Sequence, residues 1–191
     1  MSTADRRALI VDAAIDLIAA QGLRALTHRA LDAALELPAG SASYYFRSRR
    51  ALLAGIVERI AARSRADFLA GGFDTPDLRD RAALARAIAR WLDRLLAERR
   101  HHLIVRHALI LELRADPELR ARLAHGLFSA EGARDLFAAL DFADPDAAAA
   151  DFLAVLEGAV FDRFAGARAD LPAGTPQNVD ELAALLIRFL A

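Results

Sequence analysis

Residues 27–49 read Thr27-His-Arg-Ala-Leu-Asp-Ala-Ala-Leu-Glu-Leu-Pro-Ala-Gly-Ser-Ala-Ser-Tyr-Tyr-Phe-Arg-Ser-Arg49. Thr27 is suited to cap a short helix running to about Leu35. Pro38 suits the first turn of a second short helix ending near Phe46, and Ser48 can cap a longer third. Two short helices joined by a turn bury little by themselves. Their common use is to seat the second helix in the major groove of DNA while the first crosses the backbone.

Upstream, Leu9, Ile10, Ala13, Ala14, Leu17 and Ile18 form one apolar stripe, with Asp12 and Asp16 turned away and Gly22 as the stop. Downstream, Leu52, Leu53, Ile56, Val57 and Ile60 mark a long helix ending before Gly71-Gly72. Thr75-Pro76-Asp77, Asp116-Pro117-Glu118 and Asp144-Pro145-Asp146 each pair a cap with proline and an acid. Asn178 to Glu181 resembles a capping box. These starts predict helices near 76–99, 117–140, 145–168 and 179–190, with another near 102–114 and a loop over 171–178. The expected fold is all-α, with about nine helices: a three-helix N-terminal head and a helical C-terminal domain. The expected division is 1–47 for the head, 48–70 for a connecting helix and 71–191 for a ligand-binding and dimerisation domain.

Composition agrees with this reading. The 191 residues are 55% hydrophobic and 27% charged, which supports a packed core and argues against disorder. There is no cysteine, hence no disulfide or thiolate metal site. The N-terminus lacks the apolar centre of a signal peptide, and no apolar run is long enough for a membrane span, so a cytoplasmic protein is expected. The net charge of −1 hides an asymmetry. Residues 1–65 hold ten arginines against six acids, whereas residues 66–191 hold fifteen against twenty. A basic head on an acidic body points to a polyanion at the head alone.

Taken together, Gly22, Thr27-His28-Arg29, Leu37-Pro38, Ser43-Tyr44-Tyr45-Phe46 and Ser48-Arg49-Arg50-Ala51-Leu52-Leu53 resemble the tetracycline-repressor family of bacterial transcription regulators. The resemblance covers about residues 5–60. It implies a homodimer whose heads bind a palindromic DNA operator and whose C-terminal half holds a small-molecule effector. Glu36 stands where the family commonly has glycine, and Ser43 where it commonly has tyrosine. A left-handed Glu36 would cost about 1 kcal/mol or more.

Thr27, Arg29, Tyr45, Arg47 and Arg49 are placed to reach phosphates. The groove-facing segment, Ala39-Gly40-Ser41-Ala42-Ser43-Tyr44-Tyr45, carries no Arg, Lys, Asn or Gln, so strong bidentate base readers are absent from it. Base reading then falls to Ser41, Ser43, Tyr44 and apolar contact with thymine, with His28 or Arg29 as further candidates. The plainer reading of the aromatic cluster is core packing, which suits Phe46. For the tyrosines, whose hydroxyls need partners, the DNA-facing reading is preferred.

Further along, 102–113 is apolar nearly all round, as a central helix would be. Trp91, Leu95, Val105, Leu109, Phe128, Phe137 and Phe152 are candidate cavity residues beside it, with Arg106, His107 and Glu112 for a ligand's polar end. His101, His102 and His107 lack the spacing of a metal site, and no metal or cofactor is expected. GxSxG, GxxxxGK[ST] and GxGxxG are all missing, so catalysis is not expected. Leu156, Val160, Phe164, Leu182, Leu186 and Phe189 on the last two helices are the candidate dimer interface. The expected function is a homodimeric repressor released by a small, largely apolar ligand, through a dimer whose heads no longer match major grooves about 34–36 Å apart. The alternative is an all-α enzyme or ligand-binding scaffold that does not use DNA.

Overall fold

The computed structural model describes residues 2–70 and 78–190. Within them the chain is all-α: α1 (Thr3–Gln21), α2 (His28–Ala34), α3 (Ser41–Tyr45), α4 (Arg49–Ala70), α5 (Arg81–Glu98), α6 (Arg100–Glu112), α7 (Pro117–Ala124), α8 (Ala130–Ala139), α9 (Pro145–Phe164) and α10 (Pro176–Leu190). Single 3-10 turns occupy Leu23–Ala25 and Leu113–Ala115. No helix among the described residues is long and apolar enough to cross a membrane.

The chain divides into two compact units, 1–66 with 101–127, and 67–100 with 128–191. This differs from a linear division at 47 and 70. Val105, Leu109, Leu113, Leu119 and Leu123 join the hydrophobic core built by α1 to α4, so the segment from α6 to α7 belongs with the N-terminal unit.

In that unit, Ser2 and Asp5 form a capping box that starts α1. The buried face of α1 is Ile10, Val11, Ala14, Ile15 and Ile18. It is turned by one position from the expected stripe: Leu9 is exposed, and Ala13 and Leu17 are only partly buried. Asp12 lies on the flank and forms a two-pronged ion pair with Arg59 of α4. Gly22, at φ 80°, ends the helix where side chains are disfavoured. The interior of α4 follows the expected pattern, with Leu52, Leu53, Ile56, Val57 and Ile60 all buried. Gly55 lies among them because a Cβ there would come within 2.9 Å of the Phe46 ring.

In the second unit, α10 packs along α5 and α8 along α9. Asp80 caps α5, while the expected start at Thr75-Pro76-Asp77 and the stop at Gly71-Gly72 lie outside the described residues. The helix expected over 117–140 is broken between α7 and α8, where Ser129 supplies a second cap by accepting the Gly132 N–H. Asp144 caps α9 as expected, but that helix stops at Phe164. The last helix starts at Pro176, ahead of the expected Asn178 capping box. Asn178 is instead fully buried, accepting from Arg163 at 2.7 Å and donating to Asp93 at 2.7 Å. Arg163, itself 3% exposed, also reaches Glu181 and Asp162. Such a buried polar network is tolerable because its members are paired.

Candidate DNA interface and ligand cavity

The turn between α2 and α3 is built around Asp32. This buried carboxylate accepts the Gly40 N–H at 2.8 Å and the Ala42 N–H at 2.7 Å. Gly40, the N-cap of α3, has no side chain to offer, so Asp32 supplies the missing acceptor from the neighbouring helix. Pro38 therefore lies in the turn and not, as expected, in a helix: α3 begins only at Ser41. Glu36 has φ 52° and Gly40 φ 91°, so the turn uses two left-handed residues, one of them not glycine. At the other end of α3, Arg7 donates to the Tyr45 carbonyl at 2.6 Å and lies over the Phe46 ring.

The outer surface of α3 is thereby fixed. Ala39, Gly40, Ser43 and Tyr44 are exposed and Ser41 and Tyr45 half-buried, while Phe46 is core. Tyr44 is 73% exposed and stands edge-on to Tyr45. Thr27 is exposed and caps α2 through the Ala30 N–H. Arg29 and Arg47 are exposed and form no ion pair among the described residues. His28 is half-buried with Nε2 enclosed and unpartnered, so its ring is not fully presented to solvent. Arg49 donates to the Leu26 carbonyl at 3.1 Å and lies 3.7 Å from Glu112. Arg50 is held by Asp116 at 2.7 Å and Glu118 at 3.2 Å. The Asp116 carboxyl is held below the ordinary aspartate range, chiefly by the Leu119 N–H; desolvation opposes this and Arg50 adds to it.

The second unit contains an apolar cavity of about 220 Å³. Phe68, Leu84, Ile88, Trp91, Phe128 and Phe152 form much of its wall, and Gly132 and Ala133 of α8 leave room in it. Of the candidate ligand residues, the structure brings Trp91, Phe128 and Phe152 together here. Leu95 lines a separate cleft with Asp67 and Arg99, on which Trp91 also borders. Phe137 is buried behind Phe152, with ring centroids 5.3 Å apart.

The other candidates lie elsewhere. Val105 and Leu109 are fully buried in the core of the N-terminal unit, and α6 is not buried on all sides as a central helix would be, since Leu111 is exposed. Arg106 is buried and donates to the carbonyls of Leu123 and Ala124, closing the end of α7. His107 donates to the Leu103 carbonyl, and His101 pairs with Asp16. Of the six candidate dimer residues, Leu156, Val160, Phe164, Leu182 and Leu186 face the interior of their own unit, and only Phe189 is exposed. The wall residues Phe68, Leu84 and Ile88 were not singled out in the sequence.

Residues 10–56 match the bacterial regulatory proteins of the tetR family, and residues 79–191 match the tetracyclin repressor-like C-terminal domain. The chain belongs to the tetracycline-repressor family. Its first helices are the helix-turn-helix DNA-binding domain of such a regulator.

Solved structures match over nearly the whole chain. A TetR-family member from Streptomyces coelicolor A3 is 26% identical, with a TM-score of 0.71, covering 94% of this chain and 97% of that one. The multidrug binding protein EbrR, in complex with ethidium, is 26% identical, with a TM-score of 0.68, covering 97% and 99%. A transcriptional regulator from Rhodococcus sp. Rha1 shares the fold at a TM-score of 0.77 and 18% identity, covering 96% and 95%. Among curated proteins, no sequence matches the chain.

Proposed function

We propose that this TetR-family regulator is a cytoplasmic homodimeric repressor, without catalytic activity, that leaves a palindromic operator when a small, largely apolar ligand fills the cavity of its second unit. The observation that carries the DNA-binding part is the outer surface of α3. Tyr44, 73% exposed, stands on a helix pinned at one end by Asp32 and at the other by Arg7, with Arg29 and Arg47 exposed in the same unit. A large exposed aromatic on so constrained a short helix suits recognition better than solvent. Thr27, Arg29, Tyr45, Arg47 and Arg49 serve the phosphates, and Ala39, Gly40, Ser41, Ser43 and Tyr44 face the bases, with His28 beside them.

Dimerisation is supported by the outer face of α9. Ala154, Gly158 and Phe161 follow one another at spacings of one helical turn, and all are exposed. A Cβ on Gly158 would meet nothing within 4 Å. A mid-helix glycine costs about 0.5–1 kcal/mol. The packing of this chain gives no reason for it, whereas the close approach of a partner helix does. Phe189 on α10 extends the apolar surface. The interface is thus assigned to Ala154, Gly158, Phe161 and Phe189.

The ligand is assigned to the cavity of Phe68, Trp91, Phe128 and Phe152. EbrR, bound to ethidium, proflavin or malachite green, supports a small organic occupant. Phe68 is continuous with α4, whose first residue is Arg49, so an occupant pressing on Phe68 acts on the helix that also serves the DNA-binding domain. The test is a salt-dependent anisotropy measurement on duplexes selected from random DNA. Tight binding that weakens with salt and is lost when Trp91 fluorescence reports an occupied cavity is the expected result. Binding of ligand with no DNA binding at any salt would favour the scaffold reading.

A further inference from the structure

Four hydroxyls stand just before or within the first turns of α2, α3 and α4, and each is hydrogen-bonded to nearby backbone. The directions of these bonds differ. Thr27 Oγ1 accepts the Ala30 N–H at 3.1 Å, and Ser48 Oγ accepts the Ala51 N–H at 3.1 Å. Both oxygens use a lone pair inwards, which leaves their protons free to point outwards. Ser41 Oγ lies 2.6 Å from the Pro38 carbonyl oxygen, and Ser43 Oγ lies 2.8 Å from that of Gly40. A carbonyl oxygen has no proton to give, so the serine hydroxyl is the donor in both bonds. What Ser41 and Ser43 turn outwards is lone pairs alone.

The two kinds of hydroxyl suit different partners. Phosphate oxygens accept, so they match Thr27 and Ser48. In the major groove the donors are the amino groups of adenine and cytosine, whereas guanine offers N7 and O6, and thymine O4 and a methyl group. Resting on the reading of α3 as the groove-facing helix, we infer that Ser41 and Ser43 are specificity-determining residues that accept a hydrogen bond from the exocyclic amino group of adenine or cytosine, while Thr27 and Ser48 donate to phosphates.

Local structure holds the serines in this state. Turning either hydroxyl outwards to serve guanine gives up a short inward bond. The backbone carrying the two carbonyls is itself pinned, because Asp32 binds the N–H groups of Gly40 and Ala42 on either side of Ser41. No arginine, lysine, asparagine or glutamine lies within residues 37–46, so the Tyr44 and Tyr45 hydroxyls are the side-chain donors left beside the serines. Ala39, exposed beside them, is suited to the methyl group of the thymine that pairs with a contacted adenine.

The test selects duplexes from a random-sequence pool with the full chain and, in parallel, with Ser41→Ala and Ser43→Ala, each verified as folded by thermal melting. The wild-type protein should enrich one base pair at a defined position in each half-site, and that preference should fade in at least one variant. In the enriched duplex, a base analogue lacking the amino group should weaken wild-type binding by about five- to tenfold, and leave binding by the corresponding serine variant unchanged. Unchanged wild-type affinity for the duplex lacking the amino group would overturn the assignment, as would a wild-type enrichment retained in full by both variants. Folded wild-type protein that enriches no sequence at any salt would instead overturn the DNA-binding reading beneath it.

Discussion

Asp32 on α2 accepts the backbone N–H of Ala42 on α3 at 2.7 Å, and both residues are buried. One carboxylate therefore sets the angle at which α3 leaves the turn. Asp32→Ala should leave two N–H groups without a partner and destabilise the N-terminal unit by about 2–3 kcal/mol. Asp32→Asn, which keeps one acceptor, should lose less. Amide exchange at Gly40 and Ala42 together with urea unfolding would check this; unchanged protection in Asp32→Ala would refute it.

Glu36 is exposed and left-handed at φ 52°. Replacing it with glycine should relieve strain, offset in part by a more flexible unfolded chain, for a net gain of about 0.5–1 kcal/mol. Glu36→Val should move the other way, since a branched Cβ is poorly tolerated there. The urea midpoints of the two variants should straddle that of the wild-type protein.

The two arginines around Ser48 should behave differently. Arg47 is exposed and has no ion-pair partner among the described residues, so Arg47→Ala should reduce the salt slope of DNA binding by about one unit per subunit with base preference unchanged. Arg49 is engaged with Leu26 and Glu112. Arg49→Ala should lower affinity as well, but with a smaller change in slope and a loss of stability below about 1 kcal/mol. Binding isotherms across a salt series separate the two cases.

Leu186 is fully buried and Phe161 is 46% exposed. Leu186→Glu should cost more than about 3 kcal/mol and unfold the second unit, because it puts an unpaired charge where a leucine packs. Phe161→Glu should leave the fold intact and yield monomers in sedimentation. A folded Phe161→Glu variant that stays dimeric would place the interface elsewhere.

Acid should weaken the fold below the ordinary aspartate pKa of about 3.9. The Asp116 carboxyl is lowered by Leu119 and Arg50. For Asp162, burial pushes upwards, but Arg168 and Arg163 outweigh it and the net shift is down. Groups lowered in the folded state contribute stability above their unfolded pKa, and that contribution disappears as pH falls through the folded value. Urea midpoints should therefore drop as pH falls below about 4, and less steeply in Asp116→Asn.

The helices were legible because caps and glycines are local signals: Thr27, Asp116, Asp144 and Gly22 all act where the sequence places them. The aromatic end of α3 was legible as the contiguous cluster Tyr44-Tyr45-Phe46. What was not legible depends on partners far along the chain. Asp32 reads as an ordinary polar residue until Gly40 and Ala42 fold back onto it. Arg106 reads as a ligand-binding group, yet it closes α7. Asn178 reads as a helix cap, yet it is sequestered by Arg163 and Asp93. Periodicity also assigned Leu182 and Leu186 an apolar face without saying whether that face meets the same chain or another copy.

The N-terminal unit is interrupted in sequence, since it takes residues 1–66 and then 101–127. On a ribosome, the first four helices emerge while Leu109, Leu113, Leu119 and Leu123 are still unmade, leaving the inner faces of Leu52, Ile56 and Val57 short of the partners that complete their core. The DNA-reading end of the chain is made first but finished late, after α5, which belongs to the other unit, has already been synthesised. A chain cut after Ala66 would lack Val105, Leu109, Leu113, Leu119 and Leu123 and so release an incompletely packed N-terminal unit.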